Sequence, residues 1–228
     1  MDFENKYWHL VHFQLMKRLT RNEMKLMCST MEMKHFNKGT EIELEQKKIA
    51  SDVFFLKRGV VKIVHYTNEG EEVIKQLIKK GDVFGIMGLI DIENNDDYTV
   101  ALDDSLVCVI SSSYFKKMME ENPKLNNHIL KLVGIRIKKL ERNLSELMYK
   151  DARSRIENFI KDYVVDFGTD KGDFIVAKNL LSNKEIGKLT STSRQTVNKI
   201  MNNLKENNKI DFDNNKIQIK RDVIQNWN

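Results

Sequence analysis

The spacing of apolar residues divides the chain into regions of different character. From about residue 31 to 110, short segments alternate apolar and polar positions, which is the period of a half-buried β-strand. On either side of this region, apolar residues recur every three or four positions, as on one face of a helix. The pattern therefore predicts an α+β protein whose strands are concentrated in its amino-terminal half.

The alternating region predicts six short strands, at residues 31–36, 53–56, 60–66, 73–78, 98–102 and 106–110. Residues 67–70 are expected to close a hairpin, and the acid-rich segment 91–97 a solvated turn. Several short strands at this spacing favour a sandwich or roll of the jelly-roll type. Upstream, Thr20 and Glu23 are spaced as a capping box, which predicts that a helix begins there.

A long helix is predicted to begin at Asn122 and Pro123, a residue pair favoured at helix starts. Apolar residues then repeat at alternating spacings of three and four: Leu130, Val133, Ile137, Leu140, Leu144 and Leu147. Such a heptad seam, flanked by charges, predicts pairing with a partner helix and hence a homodimer. Three further apolar residues are expected to pack on the helix's own domain: Ile129, Leu132 and Ile135.

Two short helices joined by a tight turn are predicted near the carboxyl end. Ser182 and Glu185 form a capping box at the start of the first helix, and Gly187 permits close packing of the pair. The second helix, 193–204, carries exposed basic and amide side chains that suit the base edges of a DNA major groove. Alternation within 210–219 predicts a hairpin, the wing of a winged helix-turn-helix.

Charge and hydroxyl groups in this region also favour double-stranded DNA as a partner. Segment 182–210 has six basic and two acidic residues, an excess of four in a chain of net charge +5. Hydroxyl side chains surround the start of the second helix, where amides can bind phosphate oxygens. The candidate DNA contacts are Lys184, Thr192, Ser193, Arg194, Gln195, Thr196 and Lys199.

Composition excludes several other classes of protein. The 228 residues suffice for two modest domains, and no apolar run approaches the roughly 20 residues of a membrane span. Without a signal-peptide pattern at the amino terminus, a cytoplasmic protein is expected. Two cysteines and five histidines show no metal-ligand spacing, so no metal or cofactor is expected. The sequence contains no nucleophile elbow, phosphate loop or paired carboxylates in an apolar setting, so an enzyme is not expected.

A roll, a long helix and a winged helix in this order resemble the Crp/Fnr family of bacterial transcription regulators. The similarity is sharpest in two segments, 59–85 and 185–197. It implies a cyclic-nucleotide-binding-like roll, also described as a double-stranded β-helix, at 1–121, a dimerisation helix at 122–149 and a DNA-binding domain at 150–228. In such a regulator the dimer reads a palindromic operator and recruits or blocks RNA polymerase.

The resemblance also implies roles for individual residues of the second helix. Arg194 matches the family arginine that contacts guanine through two acceptors. Gln195 replaces the glutamate of cAMP-responsive members and favours adenine, whereas Lys199 replaces an arginine and loses its bidentate fork. Ser193 and Thr196, with Thr192, are expected to contact phosphates.

The effector segment departs from the cyclic-nucleotide pattern of the family. Where the family has Gly-Glu-x-Gly-Leu followed by an arginine pair, this chain has Gly85, Ile86, Met87, Gly88 and Leu89, with Asn95 near the arginine position. Loss of both anchors predicts that cAMP does not control this protein; the candidate replacements from a neighbouring strand are Lys75, Lys79 and Lys80. Three interpretations of the pocket stay open: its own side chains fill it, it binds a less charged or apolar effector, or it acts through the two thiols or through haem. The alternative function is therefore an effector sensor that acts mainly through protein contacts.

Overall fold

The computed structural model describes residues 13, 19–42, 52–86, 89 and 97–227. These belong to two compact units, Met1–Lys138 and Lys139–Asn228.

The first unit is built around two antiparallel sheets with strand orders β1-β7-β2-β5 and β4-β3-β6. The strands are β1 (Glu32–Phe36), β2 (Asp52–Arg58), β3 (Val61–Tyr66), β4 (Glu72–Ile78), β5 (Val83–Phe84), β6 (Asp97–Ala101) and β7 (Ser105–Ser111). All six predicted strands are confirmed to within about two residues. The hairpin at 67–70 is also confirmed, since the Gly70 amide donates to the Thr67 carbonyl over 2.8 Å.

Strands β2 and β7 are buried on both faces, which explains their nearly continuous apolar sequences. Their alternate side chains enter two separate cores. Phe55 and Ile110 belong to the core beneath the helices of this unit, whereas Phe54 and Val107 belong to the core that includes residues of β3 and β4. A strand covered on both sides needs apolar residues at every position, so the simple alternation is lost.

The helices of the first unit begin where their capping residues predict. They are α1 (Arg21–Thr30), α2 (Ser112–Glu121) and α3 (Pro123–Tyr149). The capping box of α1 is confirmed, because the Thr20 hydroxyl accepts from the Glu23 amide and the Glu23 carboxylate accepts from the Thr20 amide. These hydrogen bonds hold the pKa of Glu23 below its usual value. At α3, the Asn122 Oδ1 atom accepts from the Lys124 and Leu125 amides at 3.1 Å.

The second unit contains the carboxyl-terminal part of α3, four further helices and one sheet of order β10-β11-β9-β8. Its elements are α4 (Ala152–Phe167), β8 (Thr169–Lys171), β9 (Phe174–Lys178), α5 (Asn183–Thr190), α6 (Arg194–Glu206), β10 (Asp211–Phe212), β11 (Lys216–Lys220) and α7 (Arg221–Gln225).

The connection between α3 and α4 is very short. Only Lys150 and Asp151 are non-helical. The reason is local, because the Asp151 carboxylate accepts from the Ser154 amide over 2.8 Å and starts α4 at once. The same hydrogen bond lowers the pKa of Asp151.

Replacing Phe55 by alanine is expected to cost the roll about 3–5 kcal/mol in free energy of unfolding. The Phe55 side chain is fully buried between Phe13 and Phe115, so truncation leaves a cavity that the sheet cannot close. Urea unfolding followed by circular dichroism measures the change. As a control, Leu26→Ala truncates a side chain that is 57% exposed and should alter stability by less than about 0.5 kcal/mol. Equal losses in the two variants would contradict the assignment of Phe55 to the core.

Candidate nucleic-acid interface

Helices α5 and α6 form the predicted helix-turn-helix, and both begin at serine caps. The Ser182 hydroxyl accepts from the Glu185 amide over 3.2 Å, and the Glu185 carboxylate accepts from the Ser182 amide over 2.9 Å. At α6, the Ser193 hydroxyl accepts from the Thr196 amide over 3.0 Å. The capping box predicted for the first helix is therefore confirmed, and the second helix starts one residue after the predicted position.

The turn between the two helices depends on a residue without a side chain. A Cβ atom on Gly187 would lie only 2.7 Å from the Thr192 carbonyl oxygen, closer than real carbon–oxygen contacts allow. The Thr192 amide donates to the Gly187 carbonyl over 2.8 Å, and Ser191 adopts a left-handed conformation with φ of 52°. The sequence-based expectation that Gly187 permits close packing is thus correct, and its cause is the approach of the turn backbone.

Helix α6 has one apolar face and one exposed polar face. Val197, Met201 and Leu204 are buried in the second unit. Arg194, Gln195 and Lys199 are exposed, and among residues 97–227 no hydrogen bond or ion pair engages their side chains. The three predicted base-reading residues are therefore together on a single accessible helix surface.

The predicted phosphate contacts surround the amino-terminal end of α6, but their hydroxyl groups are not equivalent. Ser193 and Thr196 hydroxyls are 2.9 Å apart at the exposed helix start. The Thr192 hydroxyl is instead 2.9 Å from the hydroxyl of Thr190, which is buried and donates to the Ile186 carbonyl. The Thr192 hydroxyl therefore takes part in the hydrogen bonds of the turn, a role that its position in the sequence does not indicate. Lys184 is exposed in the first turn of α5.

The predicted hairpin is present and has a well-defined turn. Strand β10 pairs with β11, which continues the sheet through β9. The Asp213 carboxylate accepts from the Asn215 amide over 2.7 Å and from the Lys216 amide over 3.0 Å. These two backbone hydrogen bonds lower the pKa of Asp213. The alternation within 210–219 therefore reflects a real wing-like hairpin.

In the roll, the described part of the candidate effector segment faces the core. Ile86 and Leu89 are buried with Phe55 in the core beneath the helices. Gly85 has φ of +78°, and a Cβ atom there would lie 2.5 Å from the Asp52 carbonyl oxygen. Three members of the predicted pocket lie outside the described residues: Met87, Gly88 and Asn95.

One acidic residue is placed differently from the sequence-based expectation. Asp97 was expected in a solvated turn, but it is the first residue of β6 and its side chain is only 7% exposed. Its carboxylate pairs with the Lys75 ammonium group and lies 3.8 Å from Nδ1 of His65, its cross-strand neighbour. Burial of Asp97 is tolerated because Lys75 pairs with it. The pairing partner comes from another strand, so the local sequence carried no signal for it.

A family model described as "Cyclic nucleotide-binding domain" matches residues 33–122. The global nitrogen regulator of Nostoc sp. is 28% identical over 176 residues, which are 76% of this chain and 79% of that protein. The anaerobic regulatory protein of Bacillus subtilis is 21% identical over 179 residues, 77% of this chain and 75% of that protein.

Two solved structures have the same fold. FixK2 from Bradyrhizobium japonicum aligns with a TM-score of 0.73 at 18% identity and covers 87% of this chain and 97% of its own. A CooA mutant from Carboxydothermus hydrogenoformans aligns with a TM-score of 0.66 at 20% identity, covering 89% of both chains.

Within the described part of the chain, no helix is long and apolar enough to span a membrane. The relatives named above are regulators rather than enzymes. Three findings agree with the motifs at 59–85 and 185–197. They are the matched domain, the similarity to regulators along most of the chain and the architecture shared with the solved structures. The chain has the Crp/Fnr fold, and along most of its length it is similar to regulators of the Crp/Fnr type.

Proposed function

We propose that this protein is a homodimeric transcription regulator that reads a palindromic DNA operator through α6. The observation that carries the proposal is the division of α6 into a buried apolar face and an exposed face bearing Arg194, Gln195 and Lys199. A helix held in this way can enter a major groove and present its first residues to base edges. Bound near the promoter, such a dimer recruits or blocks RNA polymerase.

The groups around the recognition residues suit the DNA backbone. Amides at the start of α6 point away from the helix and carry its positive dipole end, which favours phosphate oxygens. The exposed hydroxyls of Ser193 and Thr196 lie at the same end, and Lys184 adds a cation in the preceding helix. Backbone contacts of this kind fix the orientation of the protein, whereas Arg194 and Gln195 supply the sequence preference.

The seam of α3 supports a second copy of this chain as its partner. Five of its six residues are between 47% and 61% exposed: Leu130, Ile137, Leu140, Leu144 and Leu147. Exposed leucines in a continuous row are unfavourable in water, and a second identical helix buries them.

Two residues of α3 do not pack as the sequence predicts. Val133, assigned to the seam, also packs against the core of the first unit, because the amino-terminal part of α3 is held there by Leu125 and Ile129. Ile135, expected to pack on its own domain, is 56% exposed instead. The residues that remain available for dimerisation are therefore concentrated toward the carboxyl end of α3.

The roll supports regulation that does not depend on cAMP. Ile86 occupies the position of the ribose-binding carboxylate and is packed into the core. Of the three lysines considered as replacements for the missing arginine, Lys75 is paired with the buried carboxylate of Asp97. Cys28 and Cys108 are both buried, and buried thiols in apolar surroundings react slowly, which disfavours a redox sensor. An apolar effector remains the alternative signal for a roll of this composition.

Replacing Arg194 by alanine is expected to cost about 1–3 kcal/mol in operator binding and to relax specificity at one base pair of each half-site. The reason is loss of a bidentate contact to a single base. Fluorescence anisotropy with single-base operator variants at constant salt measures both effects. As a control, Lys184→Ala should weaken binding to all sequences alike and reduce the salt slope by about 1. If Arg194→Ala retained full discrimination, the base-reading role would be wrong.

The double substitution Leu140→Lys and Leu144→Lys is expected to convert the dimer into a monomer. Two cations in each seam repel their symmetry mates and lose the apolar contact. Light scattering coupled to size-exclusion chromatography reports the mass. Leu26→Lys places the same charge at a leucine of equal exposure on α1 and should leave the dimer intact. A dimeric double variant would show that the subunits associate through another surface.

Millimolar cAMP is expected to leave operator affinity unchanged. Each missing charge-assisted hydrogen bond is worth roughly 1.5–3 kcal/mol, and the apolar Ile86 at the carboxylate position cannot supply one. Isothermal titration calorimetry tests binding of the nucleotide, and anisotropy tests its effect on DNA affinity. Saturable cAMP binding with a gain in operator affinity would contradict this view of the roll.

The salt dependence of DNA binding tests the alternative in which the helix-turn-helix contacts protein. DNA binding that does not depend on salt concentration would favour that alternative.

A further inference from the structure

Arg155 joins two parts of the second unit that are distant in the sequence. It lies in the first turn of α4, and its guanidinium group donates to three backbone carbonyls. Nε donates to the Thr190 carbonyl over 2.9 Å and one terminal nitrogen to the Ser191 carbonyl over 3.2 Å. The other terminal nitrogen donates to the Lys150 carbonyl over 2.7 Å. Thr190 and Ser191 belong to the turn of the helix-turn-helix, whereas Lys150 belongs to the α3–α4 connection.

The three carbonyls are groups that need a donor from elsewhere. The last carbonyls of a helix have no partner within it, and Thr190 ends α5 while Lys150 follows the end of α3. Ser191 is left-handed, so its carbonyl also departs from the helical direction. The planar fork of an arginine reaches several such oxygens at once with a fixed geometry, which a lysine ammonium group does not.

Further contacts within the second unit connect α4 both to α3 and to the helix-turn-helix. On the α3 side, Arg142 donates to Asp162 over 2.6 Å and Asn158 donates to Glu146 over 3.2 Å. On the other side, Arg153 donates to Asn203 of α6 over 2.9 Å. The first turns of α4 therefore contact both the turn and the recognition helix.

We propose that Arg155 is a positioning residue that sets the separation of the two recognition helices and thereby selects the spacing of the operator half-sites. This inference rests on the proposed function. Contacts within one half-site depend on the side chains of α6, whereas the hydrogen bonds of Arg155 go to the carbonyls of Thr190, Ser191 and Lys150. The distance between half-sites depends instead on how firmly each helix-turn-helix is held to the end of its own α3. Loss of Arg155 loosens that attachment and leaves the reading surface intact.

The test uses the full-length protein and a set of duplexes. Palindromic operators carry the same half-sites at the preferred spacing and with one or two base pairs inserted or removed, and a further duplex carries a single half-site. The wild-type protein is expected to prefer one spacing. Arg155→Met should reduce that preference by about tenfold, which corresponds to the net loss of about one hydrogen bond to a charged group. The affinity for the single half-site should stay unchanged. Arg155→Lys, which keeps the charge without the fork, should show an intermediate loss.

Arg221 provides a matched control in the same unit. Its Nε donates to the Gly172 carbonyl over 2.7 Å at the β8–β9 hairpin, and its guanidinium group also pairs with Asp170 of β8. Arg221→Met should therefore retain the wild-type spacing preference although it also loses an arginine–carbonyl contact. Thermal melting of each variant checks the fold, and Arg155→Lys carries the test if Arg155→Met unfolds.

Two results would overturn the inference. One is a wild-type spacing preference in both Arg155 variants. The other is a parallel loss of single half-site and operator binding with the ratio unchanged, which would assign Arg155 to stability alone. A wild-type protein that binds none of the duplexes would contradict the proposed function itself, and the single half-site duplex separates that failure from the failure of the spacing role.

Discussion

The close approach of the α5–α6 turn to Gly187 is the constraint on which the DNA-binding surface depends. With any larger residue at this position, the Thr192 carbonyl would have to move away and α6 would change its angle to α5. The angle determines which residues of α6 face the core. Because Val197, Met201 and Leu204 fill that side, residues 194, 195 and 199 are left together on the outside. The close backbone contact at Gly187 thus determines which residues of α6 face outward and form the recognition surface.

Local signals in the sequence predicted most of the elements. Both capping boxes, the Asn122–Pro123 start and the hairpin turn at 67–70 are determined by residues within a few positions of one another. The apolar strands 53–56 and 106–110 are also recognisable from their sequences, although their burial on both faces depends on the two cores that the fold builds around them. In the helix-turn-helix, exposure of Arg194, Gln195 and Lys199 followed directly from the helical period.

The features that sequence reasoning missed depend on contacts between distant residues. Asp97 is buried because Lys75, 22 residues away, neutralises it. Val133 shares in the core because residues earlier in α3 hold the helix there, a relation that heptad spacing does not express. Arg155 resembles any charged residue of an amphipathic helix, and its three carbonyl partners become visible only in the folded unit. Pairings across the fold have no fixed spacing along the chain, and so no local pattern reports them.

The buried pairing of Asp97 with Lys75 has a consequence for ligand chemistry in the roll. An anion from solution that approaches Lys75 must displace a carboxylate tethered to a neighbouring strand. A tethered group acts at a high effective concentration, commonly in the millimolar range or above, and pays no translational entropy on pairing. Weakly bound cellular anions are therefore poor competitors for this cation. At this point of the roll the fold therefore carries its own counter-ion.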